Sequence, residues 1–358
     1  MCVRLVLLLF FPIIIWSQSL ETVIQKGHRA AVHCIALSHN GKFLVSGSKD
    51  KSAILWDLST QKQIRTFNGH GGAVNSVVFS PDDKYMATAS GDMTAKLWNL
   101  STGEVVYTLE KQRDYLTAVA FHPSRKIMAI GGYPFEVLII DYEQKTVLER
   151  IPCAPDKGSG DGISLSFSTD GQYLLMGEDN RTVRLLDTKD FKDMYTMKNK
   201  EGYCGGCGTH AALSPSNKWI AKMAHNDTIK IYDISTKTLI AKLGGYVDKA
   251  GGVGFSSDEH SLFSVADDTV RIYDLKSGTE IKRWSLKRYN LGDVNSMVVC
   301  ESKGALILAA DKNKIVSIDI RTGEVVNTFA GINNFVDKGG VDYDPESYWE
   351  SYIARYLY

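Results

Sequence analysis

The sequence predicts an all-β fold, a seven-bladed β-propeller of four-stranded antiparallel blades. The first observation is a repeat: Gly27-His28 recurs as Gly69-His70 and Trp56-Asp57 recurs as Trp98-Asn99, both after 42 residues. The second is that a closing dipeptide of this kind occurs seven times. The third is that each unit contains short strand patterns separated by Asp, Gly, Ser and Asn. One such unit buries little apolar surface alone, so the units have to pack side by side.

The repeat landmarks cover most of the chain. In the second unit we predict strands from Val74 to Phe79 and over YMATAS, AKLW and EVVYTL. A strand that ends in a polar turn, such as FSPDDK from Phe79, also recurs in each unit. The closing dipeptides, spaced by 41 to 46 residues, are Trp56-Asp57, Trp98-Asn99, Ile140-Asp141, Leu186-Asp187, Tyr232-Asp233, Tyr273-Asp274 and Ile318-Asp319.

Residues 1–19 have the pattern of a secretory signal peptide. Arg4 precedes the apolar run LVLLLFFPIII, which is too short to cross a bilayer as a helix. Ser17 and Ser19 supply the small residues that precede a cleavage site after Ser19. An uncleaved anchor or a misassigned start is the alternative. We therefore expect an exported chain, periplasmic or secreted, that keeps no transmembrane segment after cleavage.

We assign residues 20–330 to the propeller and residues 331–358 to a C-terminal tail. The tail begins like another unit, and its aromatic residues from Tyr348 onwards recur at helical spacing. A helix or strand docked on the propeller, a partner-binding or oligomerising tail, and the start of a further domain all fit this pattern. Two segments compete for the outer strand of the last blade, LETVIQ at 20–25 and EVVNTF at 324–329.

At these residues the chain resembles the WD-repeat β-propeller family, over about residues 21–330. In that family a His, a Ser or Thr, an Asp and a Trp of one repeat form a hydrogen-bonded tetrad. The resemblance implies two such structural tetrads, His28, Ser46, Asp50 and Trp56 in the first repeat and His70, Thr88, Asp92 and Trp98 in the second. Repeats three to seven depart from this pattern, so we expect those blades to rely on apolar packing.

The composition and motifs indicate an interaction protein. Lys plus Arg number 41 and Asp plus Glu number 41, which gives no electrostatic indication of nucleic acid as a partner. We find no catalytic motif, no metal site and no cofactor site. The main hypothesis is a non-catalytic scaffold that binds a protein or peptide outside the cytoplasm. The alternative is a propeller enzyme, a hydrolase, lyase or metal-dependent lactonase, with its site at the central channel.

One face of the ring is the predicted docking surface. In a four-stranded meander, the loops that join blades and the turns between second and third strands lie at the same end. Exposed aromatic and Arg residues there are of the types enriched in binding hot spots. The predicted partner-binding residues are Arg29, Lys49, Arg113, Tyr115, Tyr133, Phe135, Tyr203, Tyr246, Asp248 and Tyr289.

Cys204 and Cys207 form the most reactive-looking cluster, with His210 three residues later. Export permits disulfides, so we favour a short-loop disulfide between the two cysteines. An unreacted thiol pair and a metal site are the alternatives, and a metal site would need a fourth ligand that the sequence does not offer nearby.

Overall fold

The computed structural model is a ring of seven four-stranded antiparallel sheets, and the predicted β-propeller is confirmed. In every sheet four consecutive strands pair in sequence order. The structure describes residues 27–132, 136–153, 163–178, 182–197, 210–223, 228–245, 250–266 and 268–330.

The first four blades contain sixteen strands. They are β1 (Val32–Leu37), β2 (Phe43–Ser48), β3 (Ala53–Asp57) and β4 (Gln63–Phe67) in blade one; β5 (Val74–Phe79), β6 (Tyr85–Ser90), β7 (Ala95–Asn99) and β8 (Val105–Leu109) in blade two; β9 (Leu116–Phe121), β10 (Ile127–Gly132), β11 (Glu136–Asp141) and β12 (Thr146–Pro152) in blade three; and β13 (Ser164–Phe167), β14 (Tyr173–Gly177), β15 (Val183–Asp187) and β16 (Asp193–Met197) in blade four.

The remaining three blades follow the same plan. They are β17 (His210–Leu213), β18 (Trp219–Met223), β19 (Thr228–Asp233) and β20 (Thr238–Gly245) in blade five; β21 (Ala250–Phe255), β22 (Ser261–Ala266), β23 (Thr269–Asp274) and β24 (Thr279–Ser285) in blade six; and β25 (Val294–Cys300), β26 (Ala305–Ala310), β27 (Lys314–Asp319) and β28 (Val325–Ala330) in blade seven. Two 3-10 helices, Lys287–Tyr289 and Glu301–Lys303, lie in connections. Over the described ranges, no helix is long and apolar enough to cross a membrane.

The position of a strand within its blade decides how deeply it is buried. First strands of neighbouring blades contact one another, as β1 does with β5 and with β25, so the first strands line the axis. Second strands are covered on both sides, and every residue of β10 and β26 is buried. Fourth strands form the rim, and most of β12 is exposed. This gradient explains why apolar residues run continuously through the middle strands instead of alternating.

The hydrophobic core lies between the blades. The buried apolar residues that the structure describes form seven clusters, and each cluster joins two adjacent blades. One cluster, for example, combines Leu97 of blade two with Ile130 and Ile140 of blade three. A blade therefore acquires a core only through its neighbours.

Blade seven consists of four consecutive strands of the described chain and packs directly against blade one. β28 is the fourth strand of blade seven, so EVVNTF fills the position for which two segments competed; residues 20–25 lie outside the described residues. Phe329 at the end of β28 packs edge-on against Trp56 of blade one, with ring centroids 5.9 Å apart. Phe67 packs against Trp98 in the same way at 5.6 Å. The closing contact therefore repeats the contact between blades one and two.

Each outer strand carries a β-bulge. In all seven blades the register between the third and fourth strands shifts by one residue. Such bulges interrupt the regular edge that another chain could extend as a sheet. The bulged residue is an exposed apolar side chain in every blade: Ile64, Val106, Leu148, Met194, Ile240, Ile281 and Val326.

The closing contact gives the first testable prediction. We expect Phe329→Ala to lower the free energy of unfolding by about 3–5 kcal/mol, because it removes a buried ring from the interface between blades seven and one. Phe67→Ala is the matched control, since Phe67 makes the equivalent contact between blades one and two. Urea denaturation followed by circular dichroism measures both. A loss below about 1 kcal/mol for Phe329→Ala, beside a full loss for Phe67→Ala, would contradict equivalent closure.

Candidate functional site

Two sets of loops meet at one end of the blades, which we call the upper face. In blade one the Lys49 amide donates to the Ala31 carbonyl at 2.9 Å, so the turn between β2 and β3 is tied to the loop that leads into β1. In blade two the Gly91 amide donates to the Ala73 carbonyl at 2.8 Å. The lower face, at the opposite end, carries the turns from first to second and from third to fourth strands.

The upper loops of blade one are held by a chain of side-chain hydrogen bonds. His28 Nδ1 lies 3.0 Å from Asp50 Oδ2, and His28 Nε2 lies 2.7 Å from Ser46 Oγ. The indole Nε1 of Trp56 donates to the same Ser46 oxygen at 2.8 Å. An indole N–H can only donate, so the Ser46 hydroxyl is free to donate its own proton to His28 Nε2. That order directs the Nδ1 proton of His28 at Asp50.

Blade two repeats this arrangement. His70 Nδ1 lies 2.8 Å from Asp92 Oδ2, and His70 Nε2 lies 2.7 Å from Thr88 Oγ1. Trp98 Nε1 donates to Thr88 Oγ1 at 2.9 Å. Asp92 Oδ2 also accepts the Gly71 amide at 2.8 Å, so the network fixes the linking loop itself. The solvent-exposed loops are thus held in place by buried, hydrogen-bonded polar groups.

Burial and hydrogen bonding set the charge of these networks. Burial alone would raise the pKa of Asp50, but its bonds with His28, its attraction to His28 and the Ser52 hydroxyl together hold that pKa well below 3.8. Asp92 behaves in the same way, with bonds from Thr94, the Gly71 amide and His70 outweighing burial. Burial lowers the pKa of His70 below 6.5, against the opposing pull of Asp92. The Asp92 carboxylate therefore stays ionised at neutral pH.

Outside blades one and two, only blade six keeps a hydroxyl at the tetrad position, the buried Ser264, and none of the five blades keeps the indole. Blade three has Ile130 opposite Leu138, and Ile140 takes the place of Trp98 in its core cluster. In blade four the Arg184 guanidinium lies 3.2 Å from Glu178 and 2.7 Å from Asp193. Burial lowers the pKa of Arg184, but these two carboxylates more than offset that effect. Blade four is therefore tied by an ionic network.

Blade five has a buried lysine at the hydroxyl position. Lys222 on β18 corresponds to Ser46 on β2 and is 1% exposed, with Nζ 3.5 Å from the Met197 carbonyl oxygen. Our sequence reasoning missed Lys222 and the Glu178–Arg184 pair. Counting 18 residues from each predicted His position would have placed a charged residue inside blade five, and that was the available signal.

The predicted docking residues fall into three groups. Arg29, Lys49 and Arg113 are exposed on the upper loops, and Tyr115 is half-buried beside Arg113. Tyr289 is half-buried between blades six and seven: its hydroxyl donates to Glu324 at 3.1 Å and its ring lies under the Arg288 guanidinium at 4.7 Å. The remaining candidates lie outside the described residues: Tyr133, Phe135, Tyr203, Tyr246, Asp248 and the cysteines Cys204 and Cys207.

The central channel is lined by uncharged strands. The seven first strands contain no Asp, Glu, Lys or Arg, and their two histidines are His33 in blade one and His210 in blade five. No group of three His, Cys, Asp or Glu side chains among the described residues is placed to hold a metal ion. The converging acidic groups that the enzyme alternative requires are not found in this part of the chain.

Polar side chains at the upper ends of the first strands join neighbouring blades. Each comes from the second residue of a first strand and bonds to the main chain of the next blade. These bonds run from Asn295 Nδ2 to the Val32 oxygen at 3.1 Å, from Asn75 Nδ2 to the Leu116 oxygen at 2.8 Å and from Thr117 Oγ1 to the Ile163 oxygen at 3.2 Å. The channel mouth is thereby fixed by contacts between blades.

Comparison with known families agrees with this architecture. The WD domain, G-beta repeat family matches residues 18–57, 61–99 and 155–187. The chain therefore carries WD repeats at these three positions, as its Gly-His and Trp-Asp landmarks predicted. The matched ranges include most of blade one, the first three strands of blade two and the first three strands of blade four.

Several relatives match part of the chain. Human transducin beta-like protein 2 is 26% identical over 159 residues, which cover 43% of this chain and 35% of the human protein. Pre-mRNA-processing factor 19 homolog 2 of Arabidopsis thaliana is 27% identical over 30% of this chain and 19% of its own length. Transcription factor unc-37 of Caenorhabditis elegans is 29% identical over 34% and 19%. The matched part of this WD-repeat chain thus spans about a third or less of each relative.

The tetrad of blade two gives the second prediction. We expect Thr88→Val to lower the free energy of unfolding by about 1–3 kcal/mol, because it leaves the buried Trp98 N–H and His70 Nε2 without their shared partner. Thr146→Val on the exposed rim is the control and should change stability by less than about 0.5 kcal/mol. Urea denaturation measures both variants.

A double variant separates the hydrogen bond from packing. Trp98→Phe removes the N–H that Thr88→Val leaves without a partner. The double variant should therefore lose less free energy of unfolding than the sum of the losses in the two single variants. Equal losses of the free energy of unfolding in Thr88→Val and Thr146→Val would argue against the tetrad as a stabilising network.

Proposed function

We propose that this WD-repeat protein is a non-catalytic scaffold that binds a protein or peptide through the upper face of its propeller, outside the cytoplasm. The WD-repeat relatives support the general role of an interaction scaffold. The observation that carries the specific proposal is the construction of the upper loops of blades one and two, where buried tetrads hold loops whose ends reach solvent.

A fixed loop surface suits recognition for a physical reason. Ordering a mobile loop on binding costs conformational entropy, so loops that are already held lose less of the interaction energy. The residues here are of suitable types, because the exposed Arg29 and Arg113 offer planar guanidinium groups and the half-buried Tyr115 offers an aromatic ring two residues from Arg113. The strands that line the channel carry no charged residues, so a partner finds no comparable set of charged groups there.

The signal-like residues 1–19 support a place outside the cytoplasm. The described cysteines fit such a place without needing it, since Cys34, Cys153 and Cys300 are free thiols. Burial raises the pKa of Cys34 and of Cys153 to about 12, which leaves both as unreactive thiols at neutral pH. These buried thiols would survive an oxidising compartment without pairing.

Affinity capture with charge-matched variants tests the binding surface. The full chain from its native source should capture a partner, and Arg29→Ala/Lys49→Ala/Arg113→Ala should lose at least about tenfold in affinity if the three side chains act as hot spots. Lys42→Ala/Lys62→Ala/Lys145→Ala removes three exposed lysines from lower-face turns and should bind as the wild type does. Equal capture by the two triple variants would rule out the upper face.

Sequencing the N-terminus of the mature protein tests the compartment. Cleavage after Ser19 predicts a chain that begins at Leu20 and is found in the periplasm or the medium. A chain from the same source that still begins at Met1 and fractionates with the cytoplasm would contradict export and leave the binding proposal untouched.

A further inference from the structure

The upper face of blades one to three carries exposed positive charges without partners. We call this set the cationic arc, and it consists of Arg29, Lys49, Lys51, Lys111 and Arg113. Within the residues that the structure describes, none of these five side chains has an ion pair or a hydrogen bond. Elsewhere on the surface, cations such as Arg150 and Arg321 lie 3.0 Å from a carboxylate.

The carboxylates nearest to the arc are already engaged. Asp50 is bound by His28 and by the Arg29 amide, and Asp92 by His70 and the Gly71 amide. That leaves Glu110, which is exposed, and Asp114, which is half-buried and accepts the Tyr115 amide at 2.8 Å. Five exposed cations therefore stand beside one exposed carboxylate, Glu110, while Asp50, Asp92 and Asp114 are half-buried and held by hydrogen bonds.

The last strand delivers the chain to this face. β28 runs towards the upper face, and its Ala330 pairs with Lys314 at the start of β27. Phe329 packs on Trp56 as Phe67 packs on Trp98, and Phe67 is followed two residues later by the linking loop Gly69-His70. By the same geometry, the chain leaves blade seven beside the linking loop of blade one, which carries Arg29.

The sequence after Ala330 has the complementary charge. Residues 342–350 read DYDPESYWE, with four carboxylates, three aromatic rings and no Lys or Arg. Eleven residues separate Ala330 from Asp342, and an extended chain of that length spans at most about 40 Å. The tether is therefore long enough to bring these carboxylates over blades one to three.

We propose that residues 342–350 bind the cationic arc of their own chain. The carboxylates pair with the Arg29, Lys49, Lys51, Lys111 and Arg113 side chains, and the aromatic rings pack on the guanidinium planes and on Tyr115. A single exposed ion pair is weak, but several on one tethered segment act together, at an effective concentration of the order of millimolar. The segment then covers the arc until a partner displaces it.

Zero-length cross-linking of the purified full chain, with no partner present, tests this contact. A carbodiimide joins a carboxylate to a lysine amine only when the two groups touch. We expect cross-links from residues 342–350 to Lys49, Lys51 and Lys111, and none to Lys42 or Lys62 of the lower face. We also expect them to disappear in 1 M salt, where the Debye length falls to about 3 Å from about 10 Å at 0.1 M.

Charge reversal supplies the matched comparison. Arg29→Glu/Arg113→Glu leaves all the reactive lysines in place and should reduce the cross-links to Lys49, Lys51 and Lys111 to background. Lys42→Glu/Lys62→Glu makes the same change in net charge and should leave them unchanged. The cross-links should also disappear when all four carboxylates of the segment are removed, in Asp342→Asn/Asp344→Asn/Glu346→Gln/Glu350→Gln.

Three results would overturn the proposal: no cross-link from the segment to its own arc, equal cross-linking to Lys42 and Lys62, or cross-links that join light and heavy chains in an isotopically mixed sample. The last result would assign the segment to a second copy. None of these results depends on whether the scaffold binds a separate partner, so the proposed function is tested apart from this inference.

Discussion

The fold depends on apolar contact between neighbouring blades. A four-stranded blade has two apolar faces and cannot cover either by itself, and every core cluster of the described residues joins two blades. A row of blades would leave an apolar face bare at each end, so the ring has to close. At the closing interface, Phe329 and Trp56 form the same contact that Phe67 and Trp98 form between blades one and two.

The polar networks within the blades are a second, replaceable layer. Blades one and two use His–Ser/Thr–Trp tetrads, blade three uses Ile130 and Ile140, and blade four uses the Arg184 ionic network. All of these solutions preserve the apolar interface, so the sequence could diverge in five blades while the architecture stayed the same. The tetrads remain where the upper loops carry the exposed cations, which links loop rigidity to the proposed binding face.

The repeat allowed the fold to be predicted, because its period reports the spacing of blades directly. The number of blades and the tetrad positions could be read from Gly-His and Trp-Asp landmarks. The strand that completes the last blade could not be predicted in this way, because two segments had the same strand pattern and only three-dimensional pairing distinguishes them. Tyr289 appeared to be a surface residue, yet its hydroxyl is bonded to Glu324 in the neighbouring blade, a contact between residues 35 positions apart. Lys222 was missed because a buried charge contradicts the apolar pattern by which strands are recognised.

Native-state hydrogen exchange of the full chain, resolved by strand, is the most direct test of the central claim. If apolar contacts between blades hold the ring as one cooperative unit, amides of β2 and β26 beside the closing interface should open with the same free energy as those of β10 on the far side of the ring. Exchange of blade one or blade seven through a separate opening of lower free energy would contradict the claim, because the ring would then be open at its closing interface.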